Sequence, residues 1–333
     1  MDKNLRYLSL PDVLAVKLSL DQAIAVVEQS LAEHGRKRVE NPPKISVHPR
    51  SDSFITAMPA FLPRKGTCGM KWVSGFQVNL QKGLPSISAV IVLNDYLTGF
   101  PLAIMDGTWI TAVRTVAVSI VAARLLCNED ARTMGIVGCG LQGRYHAVAF
   151  NRKFPSLSLL KVFDNYQPSL NSFEAEINKK CPGLKIEVCP SAEAAIRGAQ
   201  LVVTATGKLL EPVFLHEWVE PGAMVLPVHT FGWEPSTPVA MDRFVVDDRG
   251  QFSEYSQGWY HSLPKKQPTE TGEIVVGFAP GRLDHEERII NFNTGLAVHD
   301  ILMAKSILER AEEKGIGTLL PTDAAMQLPE LDL

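Results

Sequence analysis

Two groups of residues in this chain have the types and spacing to do chemistry. The first is Gly138-Cys139-Gly140-Leu141-Gln142-Gly143, which follows the short apolar run Gly135-Ile136-Val137 and leads into a helical pattern. Glycines at this spacing between a strand and a helix form the turn that receives a dinucleotide pyrophosphate. Gly138 lets the chain turn sharply, Gly140 carries no side chain to hold a pyrophosphate away from the backbone, and Gly143 lets the helix approach the strand. Leu141 and Gln142 belong to the first turn, where unpaired N–H groups and the positive end of the helix dipole face the phosphates. Leu159-Leu160-Lys161-Val162-Phe163 reads as the next strand, and Asp164 ends it roughly 20–25 residues past the glycines, where an acid accepts ribose hydroxyls. Asn165 and Tyr166 follow, and neither supplies a cation for a 2′-phosphate. This favours NAD over NADP. Leu201 to Gly207 reads as a later strand whose end, Thr204-Ala205-Thr206, closes over the cofactor.

The second group is cationic. Lys44 follows Asn41-Pro42-Pro43, Lys71 lies within the apolar piece Gly69-Met70-Lys71-Trp72-Val73, and Arg114 opens a helical stretch. An unpaired lysine flanked by Met, Trp and Val is costly to bury. A bound carboxylate would pair it, and an arginine fork matches a carboxylate bidentately. The alternative is that Lys71 reaches the surface and Arg114 makes an internal ion pair. His146 and His48 read as structural or surface residues, and Asp247-Asp248 and Lys265-Lys266 as facing water.

The elements that must position these groups fall into two patterns. Leu20 to His34 has an apolar stripe at helical spacing (Ala23, Ile24, Val27, Leu31), with Ser19 or Asp21 as its cap. From Lys44 to Asp106, short apolar pieces punctuated by Gly and Pro predict antiparallel strands, with a hairpin turn at Asn94–Gly99. Thr111 to Leu126 predicts a helix. From Gly135 to about Val246, strands marked by Val162, Ile186, Val202, Val225 and Val245 alternate with helices, the pattern of a parallel sheet covered on both faces. Asn293 to Gly315 reads as one helix, with Asp300, Lys305, Glu309, Arg310, Glu312 and Glu313 on its wet face. The expected fold is therefore α/β: a Rossmann-type doubly wound parallel sheet inserted into an α/β N-terminal domain that the C-terminal helix completes. The domains run 1–127 with 297–333, and 128–296.

At 333 residues the chain suffices for two such domains. A net charge of −3 gives no electrostatic reason to expect nucleic acid or an anionic membrane as partner. No apolar run approaches the ~18 residues of a membrane span. Met1 to Arg6 lacks a secretion signal's apolar core. The 5 cysteines share no metal-ligand spacing and read as reduced thiols of a cytoplasmic protein, so no metal is expected.

The chain also resembles the ornithine cyclodeaminase/mu-crystallin family over nearly its whole length. The resemblance rests on Ala57-Met58-Pro59, Gly69-Met70-Lys71, Thr98 to Ala103, Asp106-Gly107, Thr111 to Thr115 and Gly138 to Gln142. Gly277, Pro280-Gly281-Arg282, Asn293-Thr294-Gly295 and Asp300 continue it. It implies a homodimer formed through the N-terminal sheet and a Rossmann domain for NAD or NADP, with Thr115, Asn293 and Gly295 added to the cofactor contacts. It further implies an amino- or imino-acid carboxylate held by Lys44, Lys71 and Arg114 beside Met58. Many members have Arg where this chain has Lys44. The acid that cyclising members carry after the strand ending in Val225 to Gly232 is replaced by Trp233, and Thr56 stands where another acid precedes the Met-Pro. Trp233 then forms an apolar or cation-stacking wall, or packs between domains. His229, at the carboxyl end of a parallel strand, is the alternative proton donor. Three functions follow from this reading. The first is hydride transfer at the Cα of a small α-amino or α-imino acid, as a ketimine reductase or amino-acid dehydrogenase, with Lys71, Arg114 and His229 catalytic. The second is a cyclodeaminase-type lyase with internally recycled NAD, and the third a non-catalytic binding protein.

Overall fold

The computed structural model describes residues 4–322, except 208, 230, 257, 258 and 261–266. Lys265-Lys266 therefore lies outside the described residues. The first half runs β1 (Asn4–Leu8), α1 (Leu10–Ala15), α2 (Leu20–Gly35), β2 (Ile45–Val47), β3 (Ser53–Leu62), β4 (Thr67–Phe76), β5 (Ile87–Asn94), β6 (Pro101–Asp106) and α3 (Thr108–Leu126). The second begins with β7 (Thr133–Val137), α4 (Leu141–Lys153), β8 (Leu159–Phe163), α5 (Gln167–Lys180), β9 (Lys185–Val188), α6 (Ala192–Ile196) and β10 (Leu201–Thr204). It continues with β11 (Met224–Pro227), α7 (Thr237–Ala240), β12 (Arg243–Val246), α8 (Arg249–Tyr255), β13 (Thr269–Glu270), α9 (Thr271–Val275) and β14 (Ile289–Phe292). The chain then returns through α10 (Ala297–Lys314) and β15 (Thr318–Pro321).

The strands form two sheets. A 7-stranded sheet has the order β15-β1-β6-β5-β4-β3-β2, and an 8-stranded sheet has the order β13-β12-β14-β11-β10-β7-β8-β9. In the first, β2 to β6 are joined antiparallel, as the Gly- and Pro-punctuated apolar pieces require. The hairpin between β5 and β6 is closed by Asp95, whose Oδ1 accepts the Leu97 and Thr98 N–H groups at 3.1 and 2.7 Å. In the second sheet every pair is parallel. Its order reverses at β7, so the crevice for a ligand opens beside β7 and β10 at their carboxyl ends. The doubly wound sheet is thus present, with β14 laid between β11 and β12.

Local signals explain the helices that matter here. Ser19 and Gln22 form a reciprocal capping box at the start of α2. α3 is long and apolar enough to span a membrane, but it is packed within the protein with most of its side chains buried. Two features differ from the sequence expectation. Residues 293–296 are not helical: Gly295 takes φ +88°, and α10 begins only at Ala297. Asp300 does not belong to the wet face of α10, since it is fully buried in the first turn. The helix packs against β3, β4 and β5 and against α2 and α3, which turns its first turn toward the centre of the molecule.

Candidate active site

The glycine turn meets each of its steric requirements. Gly138 has φ +103°, and a Cβ there would lie 2.5 Å from the Ala205 carbonyl oxygen. A Cβ on Gly143 would lie 2.1 Å from the Gly138 carbonyl oxygen, so only glycine lets α4 come this close to β7. Around Gly140 nothing lies within 4 Å of such an atom, which leaves open space at the start of α4. No side chain caps α4, so its first N–H groups are available to a phosphate. Leu141 is exposed in this turn. Cys139 is a buried thiol, its pKa pushed up by burial to about 12, and is chemically quiet.

Asp164 stands half-buried at the end of β8. Its Oδ2 accepts the Cys139 N–H at 2.7 Å and its Oδ1 the Tyr166 N–H at 2.9 Å. This ties the acid to the glycine turn, with exposed Asn165 beside it. The nearby cation Arg144 is engaged with Glu176 at 2.9 Å and with the Cys139 carbonyl at 3.1 Å. Four further polar side chains near the carboxyl edges of the parallel strands have buried atoms with no hydrogen-bond partner: Oε1 of Gln142, Oγ1 of Thr206, both amide atoms of Asn293 and both ring nitrogens of His229. Buried polar atoms are ordinarily paired. Orphaned donors and acceptors around an open glycine turn fit a dinucleotide. Gln142, Thr206 and Asn293 are the side chains with capacity to hold it. Ala205 continues the chain beside Gly138. Thr115 and Thr204 are less available, because the Thr115 hydroxyl donates to the Thr111 carbonyl at 2.7 Å and Thr204 has no exposed surface.

The cations converge. On β4 the alternation of side chains turns Lys71 inward, opposite Met58 on β3 and Ile91 on β5, and Lys71 and Met58 are both buried. Lys71 Nζ donates to Asp300 Oδ2 at 2.7 Å, and Arg114 Nε donates to Asp300 Oδ1 at 3.1 Å. The Lys44 ammonium donates to the Thr294 carbonyl. Gly295 follows, and a Cβ on it would lie 2.5 Å from Arg114 Nη1. The turn that follows β14 is thereby pressed against Lys44 and Arg114.

Burial and neighbouring charges shift the ionisation of this cluster. Burial, with Arg114 beside it, pushes Lys71 down to about 7 despite the favourable pairing with Asp300. Burial lowers Lys44 to about 8, against the pull of Asp247. Lys44 keeps some exposed surface along its chain, but its ammonium is enclosed. For Asp300, burial alone would raise the carboxyl, but Arg114 and Lys71 outweigh it and hold it below the ordinary carboxylate range. Three cations thus face two buried acids, Asp300 and Asp247. Lys71 and Lys44 are poised to titrate near neutral pH, and an added carboxylate would favour their protonated forms.

Several expectations need correction. Asp247 does not face water: it is fully buried and accepts the Thr294 hydroxyl at 2.8 Å. Asp248 is only partly exposed and pairs with His34 at 2.9 Å. Trp233 presents no wall to a ligand in this conformation. Its indole is fully buried, 5.3 Å from the Phe214 ring, and donates to Thr204 Oγ1 at 3.2 Å. His229 lies at the end of β11, but burial lowers it to about 4, with the Phe231 backbone only weakly opposing. It is neutral near pH 7 and poorly suited to donate a proton there. His146 is structural, held between Ser119 Oγ at 2.9 Å and the Gln142 carbonyl at 2.7 Å. Sequence reasoning assigned no site role to Asp247 and Gln251. Their only signal was position, at and just after the carboxyl end of a parallel strand.

The chain is 36% identical over 318 residues to the nodulation efficiency protein NfeD of Rhizobium meliloti, covering 95% of this chain and 98% of that one. Its fold is similar to that of the Δ1-pyrroline-2-carboxylate reductase of Thermococcus litoralis, solved with NADH and L-proline, at a TM-score of 0.84 and 30% identity over 94% of this chain and 99% of that one. It is also similar to an archaeal alanine dehydrogenase dimer solved with bound NAD, at a TM-score of 0.82 and 29% identity over 95% and 99% of the two chains. Residues 8–315 match the model of one family. The chain belongs to the ornithine cyclodeaminase/mu-crystallin family.

Proposed function

We infer that this protein is an NAD(P)-dependent oxidoreductase that moves a hydride to or from the Cα of a small α-amino or α-imino acid. The observation that carries this reading is the buried cluster of Lys44, Lys71 and Arg114, set by the Thr294–Gly295 turn beside the sheet that bears the glycine turn. The dinucleotide, when bound, supplies or accepts the hydride. Gln142, Thr206 and Asn293 would hold it, with Asp164 at its ribose, which favours NAD over NADP.

The chain's own part is binding, orientation and proton handling. Lys44 and Arg114 fix the substrate carboxylate, and that positioning alone is worth several kcal/mol of barrier. Lys71, lowered to about 7, exchanges a proton near neutral pH and takes over the role first assigned to His229. Thr56 Oγ is 2.8 Å from Ser46 Oγ and Trp233 is buried, so neither place where cyclising members carry an acid offers one here. That speaks against ornithine cyclisation. A homodimer through the first sheet is supported by its outer face, where Met70, Val92, Ile104 and Tyr7 form one cross-strand row and Trp72 and Val90 stand exposed beside it.

The test is oxidation of NADH and NADPH by a cyclic imino acid, or by 2-oxo acids with ammonia or methylamine. Turnover with a preference for NADH is expected. No turnover with either cofactor across such a panel refutes the reading. Proline and ammonia from ornithine without net NADH would establish the lyase instead.

A further inference from the structure

Asp247 stands at the carboxyl end of β12 and holds a turn of the neighbouring strand. Its carboxylate accepts the Thr294 hydroxyl at 2.8 Å on Oδ1 and 3.1 Å on Oδ2, and the Gly295 N–H at 2.5 Å on Oδ2. Gln251 of α8 braces the same turn, donating from Nε2 to Thr294 Oγ1 at 2.7 Å and to the Gly295 carbonyl at 3.1 Å. On its other side the turn meets two substrate cations. The Thr294 carbonyl accepts the Lys44 ammonium, and Gly295, at φ +88°, leaves no room for a Cβ beside the Arg114 guanidinium.

A fully buried carboxylate is costly, and a neutral side chain can satisfy one hydroxyl and one N–H. A charge kept here has an electrostatic task as well. It acts on the buried Lys44 ammonium, which it helps to keep protonated against burial.

We propose that Asp247 is a positioning residue for the substrate carboxylate, acting through the Thr294–Gly295 turn to set Lys44 and Arg114 and through its charge on Lys44. The proposal rests on Lys44, Lys71 and Arg114 being a carboxylate site.

Binding of pyrrole-2-carboxylate, a planar acid with no imine to reduce, is measured by calorimetry at saturating NADH. Asp247→Ala weakens it about ten-fold or more, the scale of a lost charge-assisted hydrogen bond. The NADH Kd changes by less than the carboxylate Kd, because the glycine turn is untouched although Asn293 adjoins the braced turn. Asp247→Asn keeps the shape and removes the charge. Lys44 then loses the pull of the Asp247 charge, so the alkaline loss of affinity moves to lower pH. Thr294→Val weakens binding without moving that limb. A merely structural carboxylate would leave the pH profile where it is. Wild-type affinity and an unshifted profile in Asp247→Asn overturn the proposal, and so does wild-type affinity in Asp247→Ala. Should Asp247→Ala fail to fold, Asp247→Asn and Thr294→Val decide alone. If the wild-type protein binds no small carboxylate, the carboxylate-site reading fails and the proposal fails with it.

Discussion

Two glycines three residues apart separate binding from folding. Gly140 has φ −73° and ψ −163°, a backbone any residue adopts, and an added Cβ meets nothing within 4 Å. Gly140→Ala should therefore fold normally. Loss of unfolded-chain freedom stabilises such a change by roughly 0.4–1 kcal/mol, or about 1–4 °C in Tm. Gly143→Ala places its Cβ 2.1 Å from the Gly138 carbonyl oxygen and 3.3 Å from Ile136 Cγ2. Neither backbone atom nor β-branched side chain yields easily, and overpacking of this kind costs about 1–3 kcal/mol or more, lowering Tm by about 2–12 °C. The order reverses for ligand. The open space over Gly140 is the approach a pyrophosphate needs, so its methyl should weaken NADH binding about ten- to hundred-fold. Fluorescence titration of NADH run beside thermal melts gives both quantities for each variant. The reasoning fails if Gly140→Ala binds NADH as the wild type does, or if it melts well below it.

Two further outcomes follow from the buried cluster. Lys71 falls from 10.5 to about 7 on folding, so the unfolded chain holds more protons between those values, and this lysine's contribution to stability rises with pH through that window and is lost as pH falls to about 7. Carboxylate affinity runs the other way, decreasing above about pH 7–8 as Lys71 and Lys44 deprotonate; urea melts and titrations across pH 6–9 check both signs. Asp300→Asn leaves Lys71 and Arg114 buried without their shared carboxylate, so it should destabilise by about 3–5 kcal/mol. Added pyrrole-2-carboxylate should raise its Tm more than that of the wild type. Equal melting of variant and wild type at neutral pH would contradict the pairing.

How much of this was legible in the chain depends on how locally each feature is determined. The glycine turn's shape, the strand that ends just before Asp164 and the helix start at Ser19 or Asp21 (Ser19 is the cap) act over a few residues or one strand–helix unit, where short-range sterics and hydrogen bonds dictate them. The apolar flanks of Lys71 were also visible, and they pointed to a cation that would need a partner if buried. The partner was not visible. Asp300 lies 229 positions from Lys71, on a helix whose polar residues at similar spacing do face water. A helical pattern tells which residues share a face but not which neighbour arrives to neutralise one of them. Asp247 failed for the same reason: a pair of acids after a strand ordinarily marks a wet loop, and only the parallel pairing of β12 with β14 brings the Thr294 hydroxyl and Gly295 N–H to it. The helical reading of residues 293–296 extended an apolar period through a glycine that the structure needs at positive φ, close against Arg114. Each of these misreadings falls where the two sheets meet. A site made by opposing surfaces is specified by pairs of residues distant in the chain, and charge balance is the term that sequence patterns handle least well. The electrostatic balance of Lys44, Lys71 and Arg114 could be weighed only after Asp247 and Asp300 were found inside.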